Sequence, residues 1–295
     1  MKRSLLWIML IGACAQSPAP DLTPQDQPGS PSLSVMAWNI WHGGREDGEE
    51  VGVQKTIDVI RDSGADLVAM QETYGSGEII SEALGFYFAP RGTNVSIHSR
   101  YPVIADVSVF NDFKCVGAVV ELPDGSPLVF YSIWLPFDGD IWLPGSRDNR
   151  PIPEMLAVCQ PSADDLAKIL PLIDSKLEVL GFADAPIIMA GDFNSMSHLD
   201  YTIDAADQFD GLIVQWPTSR LMTEAGFVDS YREVHPNVNR LRDSTWSPRF
   251  TDQEKDRIDF VYSRGGLTPV QSSVIAHHPD GFPSDHAAVI SKFKF

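Results

Sequence analysis

Positive charge is scarce in this chain of 295 residues: 22 lysines and arginines face 40 aspartates and glutamates, a formal net charge of −18. Such a surface repels a long phosphate backbone unless a local basic patch or bound cations intervene, which disfavours non-specific duplex binding. Long apolar runs are missing too. The longest uninterrupted one near the N-terminus, residues 5–11, falls far short of the roughly 20 residues a membrane-spanning helix needs, so a polytopic membrane protein is excluded. No repeat of 20 to 50 residues is visible, which argues against a solenoid. There is no Gly-x-Ser-x-Gly elbow and no His-Glu-x-x-His, so a serine esterase and a zinc hydrolase both lack their signatures. What is present, 43% hydrophobic and 21% charged residues, suffices for a sizeable core and excludes global disorder.

The first 13 residues place Lys2 and Arg3 before an apolar run and the small residues Gly12 and Ala13. That order reads as a bacterial export signal. Ile11-Gly12-Ala13-Cys14 also resembles a lipobox, which predicts removal of residues 1–13, lipid attachment at Cys14 and a place in the cell envelope, either periplasm or outer surface. Losing Lys2 and Arg3 takes the charge from −18 to −20. Residues 14–31 are Pro-rich and polar without apolar periodicity, an extended tether ahead of a folded domain over 32–295. The other cysteines, Cys115 and Cys159, form an even pair for which a disulfide and two separate, partly buried thiols both remain open.

Within 32–295, short β-branched and aromatic runs alternate with helical patterns. Strands are predicted at 33–41, 66–71, 95–98, 103–109, 115–122, 128–135, 186–190, 257–262 and 287–293, and helices at 51–62, 77–84, 163–180 and 218–225. Residues 103–135 read as three strands joined by turns, one of them Pro123-Asp124-Gly125, hence an antiparallel meander. The result is an α/β domain with sheet packed on sheet and helices outside. Residues 136–161, with five prolines, Phe137, Trp142 and an Arg147-Asp148-Asn149-Arg150 cluster, are predicted to be a structured loop near the functional rim.

Several strand ends carry polar groups that a core does not need, and their chemistry suits phosphoester hydrolysis. Glu72 and Asn39 offer hard oxygen ligands for Mg²⁺ or Mn²⁺, with Asp285 a further metal or orienting group. Asp192 can take or orient the proton of an attacking water, and Asn194 can donate to a phosphoryl oxygen. His286 supplies a second proton-transfer or phosphate-binding group, with Asp259 placed to fix its tautomer. His42, Asn94, His98, His198 and Trp246 are candidates to contact substrate, Asp200 a weaker one; Trp41, Trp142 and Trp216 are either stacking platforms or core.

Trp38-Asn39-Ile40, Gln71-Glu72-Thr73, Ser99-Arg100-Tyr101-Pro102, Gly191-Asp192-Phe193-Asn194, Arg257-Ile258-Asp259-Phe260 and Ser284-Asp285-His286 resemble, in order, the motifs of the endonuclease/exonuclease/phosphatase superfamily. The resemblance spans about 33–295. It implies a four-layer α/β/β/α sandwich of the deoxyribonuclease I type, one or two divalent metals at the rim, and the roles just assigned. Phe227–Arg232 and Thr245–Pro248 look like further segments of the family, with Asp229 and Arg232 structural. One position departs from the pattern: Trp134 stands where many members carry a histidine, and an indole cannot shuttle a proton at neutral pH. Trp134 is therefore read as a substrate contact. The expectation is an exported, metal-dependent phosphoester hydrolase acting as a monomer on a small-molecule, lipid-headgroup or nucleic-acid ester. The alternatives are an extracellular nuclease of the same fold, relying on Arg91, Arg100, Arg147, Arg150 and Arg249, and a catalytically silent, surface-tethered binding module.

Overall fold

The computed structural model describes residues 32–91, 93–239 and 243–294. The export signal at 1–13, the tether at 14–31 with Cys14, and the side chain of Arg91 lie outside the described part. In chain order the elements are β1 (Ser32–Asn39), a four-residue turn α1 (Trp41–Gly44), α2 (Val51–Ser63), β2 (Leu67–Gln71), α3 (Gly77–Leu84), β3 (Tyr87–Arg91), β4 (Ser96–Ser99), β5 (Val103–Asp106), β6 (Cys115–Glu121) and β7 (Pro127–Trp134). There follow α4 (Ile152–Leu180), β8 (Ile187–Asp192), a 3₁₀ turn (Ile203–Gln208), α5 (Pro217–Glu224), β9 (Val228–Asp229), α6 (Ser230–Val234), β10 (Asp259–Arg264), β11 (Thr268–Ile275) and β12 (Ala288–Lys294).

They build two six-stranded sheets, ordered β11-β12-β1-β2-β4-β3 and β5-β6-β7-β8-β10-β9. Each sheet has one parallel pair, β1 with β2 and β7 with β8, and each pair is joined by a crossover through a helix, α2 or α4. The remaining ladders are antiparallel, including the predicted β5-β6-β7 meander.

Strand alternation sets the layers. In β1, Leu33, Val35 and Ala37 turn inward and meet Val116, Ala118, Phe130, Ile188 and Ala190 of the other sheet, while Met36 and Trp38 turn outward onto Val53, Ile57 and Ile60 of α2. In the second sheet Val129, Tyr131, Ile187 and Met189 turn outward onto Leu166, Ile169, Ile173 and Leu177, a stripe at helical spacing along α4. These side chains are all essentially buried, and each valine, leucine, isoleucine, methionine or phenylalanine among them is worth about 1.5–3 kcal/mol of hydrophobic stabilisation. The fold is thus the four-layer α/β/β/α sandwich expected.

The departures from expectation share physical causes. The three strands missed in the sequence, β3, β9 and β11, are all edge strands, and β11 is largely exposed, so none carries a clean apolar alternation. Helix α4 starts at Ile152 rather than 163, running through Pro161 and Pro171. Pro153 sits in its first turn, where a missing N–H costs nothing, and Met155, Val158 and Cys159 bury against Ile141, Trp142 and Trp216. The loop predicted at 136–161 therefore shrinks to 135–151. Cys115 and Cys159 are both free and buried, one under α4 and one in this second cluster, so they are separate thiols and not a disulfide.

Candidate active site

The same alternation that builds the core continues past it. Stepping two residues along the inner face from Ala37 reaches Asn39, from Ala69 reaches Gln71, from Phe130 reaches Ser132 and Trp134, from Ala190 reaches Asp192, and back from Val261 reaches Asp259. Register puts these positions side by side: Asn39 opposite Gln71, Trp134 opposite Asp192, Asp192 opposite Asp259. Apolar pairing between the sheets therefore ends in a polar rim at one end of the sandwich. Gln71 pins its base, donating from Nε2 to Ser132 Oγ of the facing sheet at 3.1 Å.

Asp192 lies at the centre, 1% exposed. Its Oδ1 accepts from the Asn194 N–H (2.9 Å), and its Oδ2 accepts from the side-chain amides of Asn194 (3.1 Å) and Asn39 (3.2 Å). Asn39 Nδ2 is shared with Glu72 Oε1 at 3.2 Å, so one amide links two carboxylates across the sheets. Both amide hydrogens of Asn194 are occupied, the other donating to Leu135 O at 2.9 Å. Asn194 thus orients Asp192 rather than pointing at a phosphoryl oxygen as expected.

His286 Nδ1 pairs with Asp259 Oδ2 at 2.9 Å, and its Nε2 stands 3.9 Å from Asp192 Oδ2. Its backbone is fixed as well: Trp38 Nε1 donates to His286 O, and Ser284 Oγ accepts from His286 N while donating to Asn39 O. Burial works to lower the His286 pKa, but the facing carboxylates of Asp259 and Asp192 outweigh it and raise it, favouring the imidazolium. Burial raises Asp192 above the usual carboxylate range, and pushes Asp285 up to about 6.

Backbone strain concentrates here. Trp41 (φ 56°), His42 (φ 48°), Glu72 (φ 54°) and Asn194 (φ 44°) are left-handed without being glycine, on the order of 1 kcal/mol each. The strained turns aim groups at the site: His42 N donates to Glu72 Oε2 at 3.0 Å, and Asn39 Oδ1 accepts from Trp41 N at 3.0 Å. Only glycine fits at 191, where φ is 149° and a Cβ would lie 2.0 Å from Ile133 O.

These groups open into a pocket of about 220 Å³ lined by Asn39, Glu72, Asp192, Asn194, Asp285 and His286 on its polar side and by Trp41, Trp134, Phe137, Trp142, Trp246 and Ile258 on its apolar side, with Asp140 at its mouth. Asp192, Asp259 and His286 offer donor atoms within 4.8 Å of one another, but His286 Nδ1 and Asp259 Oδ2 are engaged with each other. Glu72, Asp285 and the Asn39 amide oxygen are the better cation ligands by chemistry. Asp285 Oδ1 is buried without a hydrogen-bond partner among the described residues, a state a hard divalent cation relieves.

Other expected contacts fall elsewhere. His98 is fully buried on β4 between Ser81 and Ser96, its ring stacked on Phe88 at 5.1 Å, and belongs to the core. His198 is tied through N and Nδ1 to Ser219 Oγ of α5, and lies outside the pocket. Asn94 is buried behind the site, accepting from Glu72 N and donating to Phe113 O, so it positions Glu72. The His42 ring is exposed at the margin, 2.6 Å from Glu46, while Trp216 is core. Asp200 joins Asp229, Arg232 and Arg257 in a buried ion-pair network that anchors the start of β10. Of the candidate arginine patch, the four described members are each engaged locally: Arg100 pairs with Asp66, Arg147 with Asp256, Arg249 with Asp47, and Arg150 donates to Asp140 O. Phe137 and Asp140 were not foreseen as site residues; the proline-rich loop that carries them was the only signal.

Comparison with known proteins agrees with this fold. An uncharacterized protein of Caenorhabditis elegans is 27% identical over 297 residues, covering 90% of this chain and 92% of that one. Among solved structures, a family protein of Bacteroides thetaiotaomicron (TM-score 0.61, 16% identity, 90% of this chain and 99% of that one) has the same fold. So do a mannosyl-6-phosphatase from the same species (0.61, 14%, 89% and 100%) and an AP endonuclease of Archaeoglobus fulgidus (0.59, 16%, 89% and 100%). The family model for endonuclease/exonuclease/phosphatase proteins matches residues 36–286, and the chain belongs to that family.

Proposed function

We propose that the protein is a divalent-metal-dependent phosphoester hydrolase in which water attacks a phosphodiester or phosphomonoester. The observation that carries this reading is the buried Asp192 carboxylate, held by two amides and faced by a His286–Asp259 pair in one pocket with Glu72 and Asp285. Glu72, Asp285 and Asn39 would hold the divalent cation, which when bound would supply charge neutralisation for the phosphoryl oxygens. Asp192 Oδ2, its proton affinity raised by burial, accepts the proton of the attacking water. His286, kept cationic by Asp259, donates from Nε2 to the phosphoryl group as charge accumulates there. The ester P–O bond breaks toward a leaving group that the Trp134 side of the pocket cannot protonate.

The test is hydrolysis of bis-p-nitrophenyl phosphate, p-nitrophenyl phosphate, DNA and sphingomyelin with Mg²⁺ or Mn²⁺, with EDTA and the variants Asp192→Asn and His286→Ala as controls. Turnover abolished by EDTA and lowered by several orders of magnitude in both variants supports the reading; unchanged turnover in both variants refutes it.

Export with lipid attachment at Cys14 belongs to the same reading, as does action as a monomer. Among the described residues no helix is long and apolar enough to cross a membrane. Metabolic labelling with a radioactive fatty acid, lost in Cys14→Ser, tests the anchor. Light scattering tests the monomer.

A further inference from the structure

The hydrolytic residues leave one wall of the pocket unused, and that wall is aromatic and acidic. Phe137, Trp142 and Trp246 form a continuous run of rings, 5.7 Å and 6.5 Å apart and steeply inclined, which ends 5.0 Å from the His286 imidazole. Trp134 is a further aromatic face, supported edge-on by Phe113 at 5.9 Å. Asp140 stands on the same loop as Phe137 and Trp142, its Oδ1 accepting from the N–H groups of Trp142 (2.7 Å) and Leu143 (3.3 Å). None of the described lining residues is lysine or arginine.

Each feature narrows the group that the phosphoester carries. A second phosphate or a carboxylate would face Asp140 and the electron-rich ring faces with no cation in the lining to answer it; the Arg150 guanidinium is held by the Asp140 carbonyl and is not part of that lining. A sugar ring needs several hydrogen bonds to its hydroxyls, and Asp140 is the one charged or amide side chain of the lining outside the hydrolytic set. A polynucleotide needs cations along its backbone, and of the described candidates Arg100, Arg147 and Arg249 are each paired with an acid while Arg150 is held by the Asp140 carbonyl. An ammonium ion is attracted by both the rings and the carboxylate. A quaternary one has no N–H to satisfy, which matches a wall this poor in acceptors.

Granted the phosphoesterase reading, we propose that the substrate is a phosphoester of a quaternary amino alcohol of the choline type. Its phosphoryl group sits at Asp192 and His286, and its ammonium lies against Phe137, Trp142 and Asp140. The wall is rigid before substrate arrives. Arg147, largely buried, donates from Nε to Ile141 O and from Nη1 to Tyr201 Oη, both at 2.7 Å, and pairs with Asp256, clamping the loop to the body of the protein. Recognition therefore does not have to order a loop.

The experiment compares kcat/KM of the purified protein, with Mg²⁺, on p-nitrophenyl phosphocholine and on p-nitrophenyl 3,3-dimethylbutyl phosphate, the same shape with carbon in place of nitrogen. Water adds to phosphorus and p-nitrophenolate leaves in both, so only the charge differs. Thymidine 5′-(p-nitrophenyl phosphate) and bis-p-nitrophenyl phosphate complete the set. The expected result is a preference for the choline ester over its isostere of about tenfold or more, expressed in KM. Asp140→Asn and Phe137→Ala, both at exposed side chains, should shrink that ratio several-fold, and tetramethylammonium should inhibit competitively. An isostere hydrolysed as well as the choline ester, or a preferred thymidine ester, overturns the substrate class while Asp192-dependent turnover of bis-p-nitrophenyl phosphate upholds the hydrolase. No Asp192-dependent turnover of any substrate overturns the hydrolase reading itself. Quenching of tryptophan fluorescence by phosphocholine but not by 3,3-dimethylbutyl phosphate reads the recognition without turnover; equal quenching counts against it.

Discussion

His98 should make this protein acid-sensitive in a way that a single substitution removes. The imidazole is fully buried, with Nδ1 2.7 Å from Ser81 Oγ and Nε2 2.9 Å from Ser96 Oγ, and burial alone drops its pKa from 6.5 to about 3. Between those two values the unfolded chain binds a proton that the native chain does not, so stability falls as pH falls below 6.5. At pH 5, 1.5 units below the unfolded value, the loss is about 2 kcal/mol relative to pH 8. His286 acts in the opposite sense: its folded pKa is raised, so its stabilising contribution is complete below 6.5 and is lost as pH rises toward the folded value. The wild-type profile superposes the two, and only a difference isolates His98. In His98→Gln the amide can donate to one serine and accept from the other but does not titrate. Urea unfolding followed by tryptophan fluorescence should find the wild type more stable at pH 8, with its lead shrinking by about 2 kcal/mol at pH 5. A gap of equal size at both pH values would refute the assignment of His98 as a neutral core residue. So would selective loss of turnover in a variant that is otherwise folded, since that is the behaviour of a pocket histidine.

Three other outcomes are expected. Gly191→Ala should lower stability by about 3 kcal/mol or more, measured as a shift in the urea midpoint, because the new methyl meets Ile133 O at 2.0 Å and the backbone cannot give way; a variant as stable as wild type would contradict this. Arg257→Met should cost about 3–5 kcal/mol by leaving the buried Asp229 carboxylate without its arginine and Asp200 with Arg232 alone, and a thermal melt within a degree of wild type would count against the network. Trp134→His should reduce the dependence of kcat on leaving-group pKa in a series of substituted phenyl phosphodiesters, since imidazole can protonate the departing oxygen and indole cannot; an unchanged slope would remove Trp134 from the leaving-group side.

Much of the site could be read before the fold was known. Residues 33–41 and 186–190 read as strands from their apolar and β-branched content, and Asn39 and Asp192 stand out as polar groups at strand ends that a core does not need. The order of the motifs, from Trp38-Asn39 to Ser284-Asp285-His286, belongs to the sequence as well. Three of the four edge strands were not legible, because a half-exposed strand such as β11 has no need of an apolar pattern; β5 was, as part of the meander. Nor was the first half of α4, whose prolines argue locally against a helix that burial of Met155, Val158 and Cys159 nevertheless favours.

Local pattern determined the central strands and which polar groups lie at their ends. Only tertiary structure decided between one histidine and another. His98 lies in an apolar strand and His286 just before one, yet the first is enclosed by two serines and a phenyl ring and stays neutral, while the second meets two carboxylates and takes a proton. The charge state of a buried ring depends on what the opposite layers bring to it, and those partners are up to 94 residues away from His286 and only 2 and 17 residues away from His98.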